Sequence, residues 1–308
     1  MNIVYSSNDN YARHLAASMV SVLENNSEEE RIDVYILNIG LSADNISILR
    51  GLAEKYNREI HIVDLSDIKK RFNGEDVPVR SFSIEMYARL FLAESLPETE
   101  DRALWIDCDT IITGSINELY FCDIDNYAAA AVVDQPNFGV GILCEDAGIP
   151  YGKYYNSGVL LANLKKWREE NISRKFVSYL LNINTDAMFP DQAVLNNILY
   201  NRIFTLPLKF NLVTPTLFLP YSKMLGKWGS PIYSESEYKS AKKNPVIIHY
   251  TNFRPWKKWC LHPLKKYYRR YVKLTPYKDV PLENDGLFKT VSGLMESVTA
   301  KIKAVLHI

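Results

Sequence analysis

The sequence is poor in cysteine and lacks long apolar runs. Its 308 residues include four cysteines, and no two of them form a C-x-x-C pair, so a zinc site or thioredoxin-like motif of that type is not predicted. Sparse, scattered cysteines are typical of a reducing cytosol. No apolar run reaches the roughly 18 residues of a membrane-spanning helix. Residues 1–5 enter an apolar stretch without a basic segment, so no secretory signal is expected.

A net charge of either sign is also absent, but charge is spread unevenly. The chain has 36 basic and 36 acidic residues, yet nine Lys or Arg and no Asp or Glu lie between Arg254 and Lys278. The rest of the chain is therefore acidic. This asymmetry predicts a first domain of residues 1–256 and a basic, aromatic and amphipathic C-terminal region of residues 257–308.

The N-terminal part alternates β-branched runs with stretches of helical periodicity. Strands are predicted at 3–6, 32–37 and 60–65, with helices at 11–24 and 42–56. This order predicts parallel strands joined by crossover helices, as in an α/β Rossmann-like domain. Farther along, strands are predicted at 103–106, 128–133, 158–161 and 246–248, and helices at 83–96, 165–181 and 191–200.

An acidic pair, Asp107 and Asp109, directly follows one of these strands. Residues two apart in an extended chain point the same way, and ligands of open α/β sheets bind at the carboxyl ends of strands. Two adjacent carboxylates are costly unless a cation neutralises them. A hard divalent ion, Mg²⁺ or Mn²⁺, fits this pair and commonly bridges to phosphates. A lone D-x-D pattern is more often a solvated turn, so its neighbours decide the interpretation.

Five ordered motifs, spread over roughly residues 1–260, resemble blocks of the retaining glycosyltransferases of family 8. That family includes bacterial lipopolysaccharide galactosyl- and glucosyltransferases and glycogenin. The motifs are IVYSSNDNY at 3–11, YARL at 87–90 with LWIDCDT at 104–110, YNSGVLLANL at 155–164, PDQAVLN at 190–196 and HYTNFRPW at 249–256. The resemblance implies a GT-A type fold with a mixed, mostly parallel sheet, plus a basic helical C-terminal extension. It also implies transfer of glucose or galactose from a UDP-sugar to a glycan or glycolipid, forming an α-linkage.

The resemblance further implies a metal and nucleotide site. Asp107, Asp109 and His249 would bind the ion, and an imidazole ligand favours Mn²⁺, with Mg²⁺ as the alternative. Without the resemblance, a histidine at a strand end is more often a satisfied surface residue. The uracil and ribose of UDP-glucose or UDP-galactose would be held by three side chains of the first loop, Ser6, Asn8 and Asn10.

Other residues would surround the sugar and its leaving group. Arg89 would reach the sugar or diphosphate, and Arg254 would clamp the departing diphosphate. The sugar pocket would be lined by three polar side chains, Asn156, Asp191 and Gln192. Asp134 corresponds to an acidic residue near the acceptor, so Asp134, Asp191 and Gln192 form the predicted catalytic set. Alternatively, Asp191 caps its helix, Arg89 lies on a helix surface and Asp134 is a turn residue.

Retention of configuration admits two mechanisms. Double displacement needs a carboxylate nucleophile, but Gln192 is a poor nucleophile and Asp191 is expected to hold donor hydroxyls. Attack on the same face, with the leaving phosphate oxygen accepting the acceptor's proton, is therefore favoured. The chain departs from the family pattern at Asn252-Phe253-Arg254, where a glycine and a lysine are expected, and at Ala193, where an aspartate is common.

The basic region suggests a second partner. Its aromatic residues, Trp256, Trp259, Tyr267, Tyr268, Tyr271 and Tyr277, alternate with basic residues. This pattern suits an anionic membrane, and residues 286–308 have the periodicity of an interfacial helix. A cytoplasmic protein attached peripherally to the inner face of the membrane is predicted, and nucleic-acid binding is the lesser interpretation. The alternative for the tail is a helix docked on the parent domain or on a partner.

Two other functions remain open at this point. A nucleotidyltransferase would need a glycine-rich phosphate loop, but residues 6–14 contain no glycine. A non-catalytic binder of nucleotide sugars, or a membrane adaptor, would have the same motifs without turnover.

Overall fold

A computed structural model describes residues 1–72, 84–134, 144–145, 147–150, 152–182, 190–223 and 232–284. The strands are β1 Asn2–Ser7, β2 Asp33–Asn38, β3 Ile60–Asp64, β4 Arg102–Ile106, β5 Thr110–Ile112, β6 Ala129–Val133, β7 Tyr155–Asn163, β8 Ile203–Thr205, β9 Leu212–Val213 and β10 Ile247–His249. The α-helices are α1 Ala12–Asn25, α2 Ala43–Glu54, α3 Leu92–Ser95, α4 Asn117–Tyr120, α5 Leu164–Glu169, α6 Ile172–Asn182, α7 Pro190–Leu199, α8 Thr214–Phe218, α9 Glu235–Lys243 and α10 Lys265–Val272. Short 3₁₀ helices lie at Asp9–Tyr11, Ile68–Phe72, Ile84–Phe91, Leu208–Phe210, Tyr221–Lys223 and Pro276–Asp279.

The main sheet has seven strands in the order β3-β2-β1-β4-β7-β6-β8. The pairs β3–β2, β2–β1, β1–β4 and β6–β8 are parallel, whereas β7 runs antiparallel to both β4 and β6. β7 is buried along its whole length, because elements cover both faces of the sheet. The predicted α/β fold with a mixed, mostly parallel sheet is confirmed.

A second sheet of three strands, in the order β5-β10-β9, lies beyond β4. β10 pairs antiparallel with β5, and the register places His249 opposite Thr110. The backbone N–H of Tyr250 also donates to the Asp109 carbonyl oxygen at 2.9 Å. This small sheet therefore brings His249, which is distant in sequence, beside the acidic pair at the end of β4.

Two predicted helices differ from the observed ones. The helix expected at 83–96 is wound as a 3₁₀ helix over Ile84–Phe91 and becomes α-helical only over Leu92–Ser95. Within this 3₁₀ helix the Arg89 side chain donates to the Met86 carbonyl at 3.2 Å, so a buried guanidinium competes for backbone hydrogen bonds. The single helix expected at 165–181 is two helices, α5 and α6. Asn171 separates them with φ of 52°, a left-handed conformation that asparagine tolerates.

The basic segment, residues 254–278, packs on α1 through Trp256, Tyr268 and Tyr271. The Trp256 ring lies 3.9 Å from the His14 ring, centre to centre, and Tyr268 Oη lies 2.7 Å from His14 Nδ1. Asn25 donates to Tyr271 Oη at 2.7 Å. Trp256, Tyr268 and Tyr271 are all buried in the main hydrophobic core. The chain as far as Tyr271 therefore contributes buried side chains to the core of the α/β domain.

The domain boundary at residues 256 and 257 stays a prediction. The amphipathic stretch at 286–308 lies outside the described residues. Within the described ranges, no helix has the length and apolar character needed to cross a bilayer.

Candidate active site

A cavity of about 560 Å³ opens at the carboxyl ends of β1 and β4. Because β7 is antiparallel to β4, its first residues reach the same edge. Eleven of the twelve residues predicted from sequence line this cavity: Ser6, Asn8, Arg89, Asp107, Asp109, Asp134, Asn156, Asp191, Gln192, His249 and Arg254. Asn10 is not among the lining residues; it is exposed in the 3₁₀ helix Asp9–Tyr11.

Three potential metal ligands converge at one end of the cavity. His249 Nε2 lies 3.2 Å from Asp109 Oδ1 and 3.8 Å from Asp107 Oδ2. One ligand atom from each of these residues lies within 4.8 Å of the other two. Two carboxylates and one imidazole are the donor set expected for Mn²⁺, or less well for Mg²⁺. The donor chemistry of this end of the cavity therefore fits a divalent cation.

Gly158 explains how these ligands come so close to β7. Its carbonyl accepts a hydrogen bond from the Asp107 N–H at 2.8 Å. A Cβ at this position would lie 2.2 Å from His249 Cε1 and 2.7 Å from Asp107 Oδ2. Only glycine allows both side chains to lie against the strand backbone.

Asp107 is oriented by two donors to a single carboxylate oxygen. Trp105 Nε1 donates to Asp107 Oδ1 at 2.8 Å, and Arg89 Nη2 donates to the same oxygen at 2.9 Å. The Arg89 guanidinium also lies 4.9 Å from the centre of the Trp105 ring. Oδ1 is thus engaged by the protein, and Oδ2 is the oxygen that faces His249.

The Arg89 side chain is buried and contacts several polar residues of the cavity, so the alternative of a helix-surface residue is wrong. Its Nη1 donates to both the carbonyl oxygen and Oγ of Ser157 at 2.8 Å, and its Nε lies 3.3 Å from Asp191 Oδ2. Burial lowers the pKa of Arg89, but the carboxylates of Asp107 and Asp191 outweigh that effect and raise it. Arg89 therefore stays charged and links the metal end of the cavity to the predicted sugar pocket.

Another part of the cavity wall is formed by an amide and a carboxylate, those of Gln192 and Asp134. The Ser157 N–H donates to Gln192 Oε1 at 3.1 Å, and Gln192 Nε2 donates to Asp134 Oδ2 at 2.9 Å. α7 is fixed to β7 by Asn196, which bonds both the N–H and the carbonyl oxygen of Tyr155. Gln192 is thereby held with both polar atoms engaged.

The electrostatics at the metal end favour binding of a cation. Burial raises the pKa of Asp107, against the opposing effects of Arg89 and His249. Burial also acts to raise the pKa of Asp109, but His249 and Arg254 outweigh it and hold this pKa below its usual value. Burial lowers the pKa of His249, but Asp109 and Asp107 outweigh it and raise it. A divalent cation would replace the imidazole proton and relieve the carboxylate repulsion.

The first loop presents an unsatisfied acceptor to the cavity. Asn8 Oδ1 is buried without a hydrogen-bond partner, as is Thr251 Oγ1 on the facing loop, and both residues line the cavity. The loop itself is held by Asp9, which accepts hydrogen bonds at 2.7 Å from the Ser42 N–H and from Asn45 Nδ2. Buried orphan oxygens in a cavity are expected where a ligand supplies the missing partner.

The divergent stretch after His249 folds without a glycine. Phe253 adopts φ of 52°, a strained conformation for a bulky residue, and its ring lies 5.2 Å from the Phe218 ring. Thr214 Oγ1 donates to the Asn252 carbonyl at 3.1 Å. Arg254 follows directly and is exposed at the cavity.

Several cavity residues were not singled out from the sequence. They are Ser7, Tyr11, Ile39, Met86, Trp105, Cys108, Ser157, Gly158, Val213, Pro215 and Thr251. Asn252, noted in the sequence as a departure from the family pattern, also lines the cavity. Ser157 and Gly158 lie inside a recognised motif, so the motif itself was the available signal. Val213 and Pro215 lie outside every motif, and only the second sheet brings them to the cavity.

The profile of glycosyl transferase family 8 matches residues 2–260. This chain belongs to glycosyltransferase family 8. Among its relatives is general stress protein A of Bacillus subtilis, 29% identical over 91% of this chain and 96% of that protein. The lipopolysaccharide 1,2-glucosyltransferase of Escherichia coli K12 is 28% identical over 91% and 79%. The lipopolysaccharide 1,3-galactosyltransferase of Salmonella typhimurium is 25% identical over 92% and 81%.

Solved structures agree on the fold of this family 8 protein. The galactosyltransferase LgtC, in complex with donor and acceptor sugar analogues, superposes with a TM-score of 0.74 at 24% identity, over 90% of this chain and 96% of that one. The predicted GT-A type fold is thus confirmed. The family also confirms the general prediction of a glycosyltransferase that takes part in hexosyl transfer.

Proposed function

We propose that this family 8 glycosyltransferase transfers a glucosyl or galactosyl group from a UDP-sugar to a glycan or glycolipid, forming an α-linkage, with Mn²⁺ as its ion and Mg²⁺ as a weaker substitute. The observation that most supports this is the convergence of Asp107, Asp109 and His249 on a cavity that also contains orphan polar oxygens. Relatives of this chain include a glucosyltransferase and a galactosyltransferase, each named for lipopolysaccharide.

The proposed metal ligands are Asp107 Oδ2, a carboxylate oxygen of Asp109 and His249 Nε2. Bound there, a divalent ion would neutralise charge that develops on the leaving diphosphate. Arg254 lies at the same cavity and would add a second positive charge to the departing group. The orientation of Asp107 by Trp105 and Arg89 keeps one of its oxygens directed at this end.

The nucleotide would bind along the first loop. Asn8 Oδ1, buried without a partner, is an acceptor suited to a base N–H or a ribose hydroxyl. Ser6 and Tyr11 complete this wall of the cavity. Asn10 is exposed and does not line the cavity. Its proposed contribution is therefore to the conformation of the first loop and not a direct contact with the nucleotide.

The sugar would lie between the ion and the residues Asn156, Asp191, Gln192 and Asp134. Asp191 is paired with Arg89, and Gln192 is hydrogen bonded at both ends of its amide. A residue so engaged is a poor covalent nucleophile, which supports attack on the same face of the sugar. In that mechanism the acceptor oxygen forms a bond to the anomeric carbon as the bond to the diphosphate breaks. The acceptor's proton passes to the leaving phosphate oxygen.

Peripheral attachment to an anionic membrane is proposed for the C-terminal region, with one refinement. Trp256, Tyr268 and Tyr271 are buried and so are not available to lipid. Trp259 and Leu261 are exposed, by 40% and 55%, within a segment rich in lysine. These two residues are therefore the proposed apolar contacts of the described part, beside lysines that would face lipid phosphates.

The proposal is tested by measuring UDP release and product mass. The protein is incubated with UDP-glucose or UDP-galactose, with Mn²⁺, Mg²⁺ or EDTA, and with lipid-linked glycans as acceptors. We expect UDP release with Mn²⁺, slower release with Mg²⁺ and none with EDTA, and an α-anomeric product by NMR. Binding of UDP-sugars without turnover of any of them would contradict transfer and support a non-catalytic binder.

A further inference from the structure

A chain of hydrogen bonds behind the proposed metal site has a direction that can be read from the backbone. It begins at the Gly158 N–H, which lies 3.0 Å from Asn156 Oδ1. A backbone N–H can only donate, so the atom of Asn156 that faces it must be the amide oxygen. This fixes the orientation of the Asn156 amide, which in general must be assigned from its partners.

Asn211 is the next member of the chain. One end of its amide lies 2.8 Å from the same Asn156 oxygen. Because that oxygen only accepts, the Asn211 atom must be the donating Nδ2. The other end, Asn211 Oδ1, is then an acceptor, and it lies 3.0 Å from His249 Nδ1. His249 must therefore donate a proton from Nδ1 to Asn211, which leaves Nε2, the ring nitrogen that faces Asp109, as the atom able to bind a cation.

We propose that Asn211 is a positioning residue that fixes His249 in the tautomer able to bind the cation, and that fixes Asn156 as a donor toward the substrate. The inference rests on the proposed metal-dependent function. Ligating histidines characteristically donate their second ring N–H to an oxygen acceptor, which sets both the tautomer and the ring orientation. Asn211 has 1% of its surface exposed and does not line the cavity, so it acts through its two neighbours.

The consequence for Asn156 concerns substrate recognition. Its amide oxygen already accepts hydrogen bonds from Gly158 and Asn211. What Asn156 can offer at the cavity is therefore its NH₂ group. This group would recognise an acceptor atom, such as a sugar hydroxyl oxygen or a phosphate oxygen.

Two substitutions at Asn211 separate these two roles. Asn211→Leu removes both hydrogen bonds at nearly constant volume. Asn211→Asp keeps an acceptor for His249 Nδ1–H but loses the donor to Asn156. We expect Mn²⁺ affinity to fall about 10- to 100-fold in N211L and to stay within about threefold of wild type in N211D. We also expect kcat/KM for the UDP-sugar to fall about 10- to 100-fold in N211D, because the Asn156 amide is no longer held in one orientation.

Mn²⁺ binding is measured by EPR of the free ion, with and without UDP, and stability by thermal unfolding. Asn26→Leu is the matched control, since Asn26 is also buried and bridges the Val22 carbonyl and the Ile116 N–H through its amide, away from the cavity. We expect N26L to lose stability but to keep its Mn²⁺ affinity.

The outcomes distinguish the inference from the proposed function. Wild-type Mn²⁺ affinity in N211L, or wild-type turnover in N211D, would overturn the role of Asn211. If N211L does not fold, the isosteric N211D variant still decides, because unchanged kcat/KM in it contradicts the inference. Failure of the wild-type protein to bind Mn²⁺ at all would instead reject the metal site on which the proposed function depends.

Discussion

Two histidines, His249 and His14, are almost equally buried, with 4% and 3% of their surfaces exposed, yet their pKa values shift in opposite directions. Burial lowers the pKa of His249, but the facing carboxylates of Asp109 and Asp107 outweigh it and raise it. Burial lowers the pKa of His14 to about 3, where an aromatic partner, Trp256, lies against its ring.

The comparison shows that the partners of a buried histidine determine its role more than its burial does. His249 is surrounded by negative charge and would exchange its proton for a metal ion. His14 faces the Tyr268 hydroxyl at 2.7 Å and stays neutral, so it serves the packing of the C-terminal segment on α1. At His249 the carboxylates outweigh the effect of burial, whereas at His14 burial dominates although Glu283 lies 4.0 Å from its Nε2.

Removing a carboxylate beside His249 should have the largest effect. Asp109→Asn loses a charged ligand, so we expect metal-dependent turnover to fall about 1000-fold or more, with the fold intact by circular dichroism. Asp101→Asn is the control, because Asp101 is exposed at the other end of β4. Full activity in D109N would contradict the assignment of the metal site.

Crowding His249 without removing any ligand should have the next largest effect. In Gly158→Ala the new methyl group would lie 2.2 Å from His249 Cε1, so we expect Mn²⁺ affinity by EPR to fall about 10- to 100-fold. The control is Gly51→Ala in α2, where a Cβ meets nothing within 4 Å and stability should rise slightly. Wild-type affinity in G158A would show that the close approach is not required.

The pH dependence of the free energy of unfolding tests whether His14 is neutral in the folded protein. His14 has a pKa of about 3 in the folded protein and about 6.5 when unfolded, so the unfolded state binds more protons between these values. The free energy of unfolding should therefore fall as pH drops below about 6.5, by up to about 1.4 kcal/mol per pH unit from this residue. Urea unfolding from pH 7 to 4.5 should show a shallower slope for His14→Gln than for wild type.

The matched control for loss of an imidazole is His61→Gln, in a partly exposed side chain. We expect this variant to keep the part of the slope that comes from His14. Equal slopes for wild type and H14Q would show that His14 does not stay neutral in the folded state. His262, buried with a pKa lowered to about 4, should account for part of the slope that remains.

The smallest effect is expected on membrane binding, for a substitution on the exposed surface of the basic segment that packs against His14. Trp259→Ser should weaken partitioning onto anionic vesicles about fivefold, equivalent to about 1 kcal/mol of lost apolar burial, with UDP release unchanged. Phe121→Ser is the control, since Phe121 is 58% exposed but lies outside the basic segment. Equal loss in both variants would mean that the C-terminal contact is nonspecific.

Much of the site was predictable because its residues lie in contiguous motifs at strand ends. Asp107 and Asp109 follow β4 directly, and Asn156 begins the motif that forms β7. These residues could be predicted because local periodicity locates the strands and because ligands of open α/β sheets bind at strand ends. Asn10 was placed with its motif but is not among the cavity-lining residues, because a side chain's direction within a tight 3₁₀ turn is not specified by the motif.

The helices show the limit of periodicity. The 83–96 pattern predicts one α-helix, but the buried contacts of Arg89 with Ser157 and Asp107 accompany a 3₁₀ winding instead. In the basic segment, Tyr268 and Trp259 have equivalent sequence surroundings. Tyr268, on α10, is buried where that helix packs on α1, whereas Trp259 lies before α10 and is exposed.

The sequence by itself determined the α/β class, the mostly parallel sheet and the family, and eleven of its twelve predicted site residues line the cavity, because short-range patterns and strand-end positions are local properties. Only the tertiary structure decided that Asn211 stands behind His249, that Gly158 leaves room for the ligands, and that His14 is kept neutral. Those facts depend on contacts between residues far apart in the chain. Charge, hydrogen bonding and burial depend on distances in space, and local sequence patterns do not specify these distances.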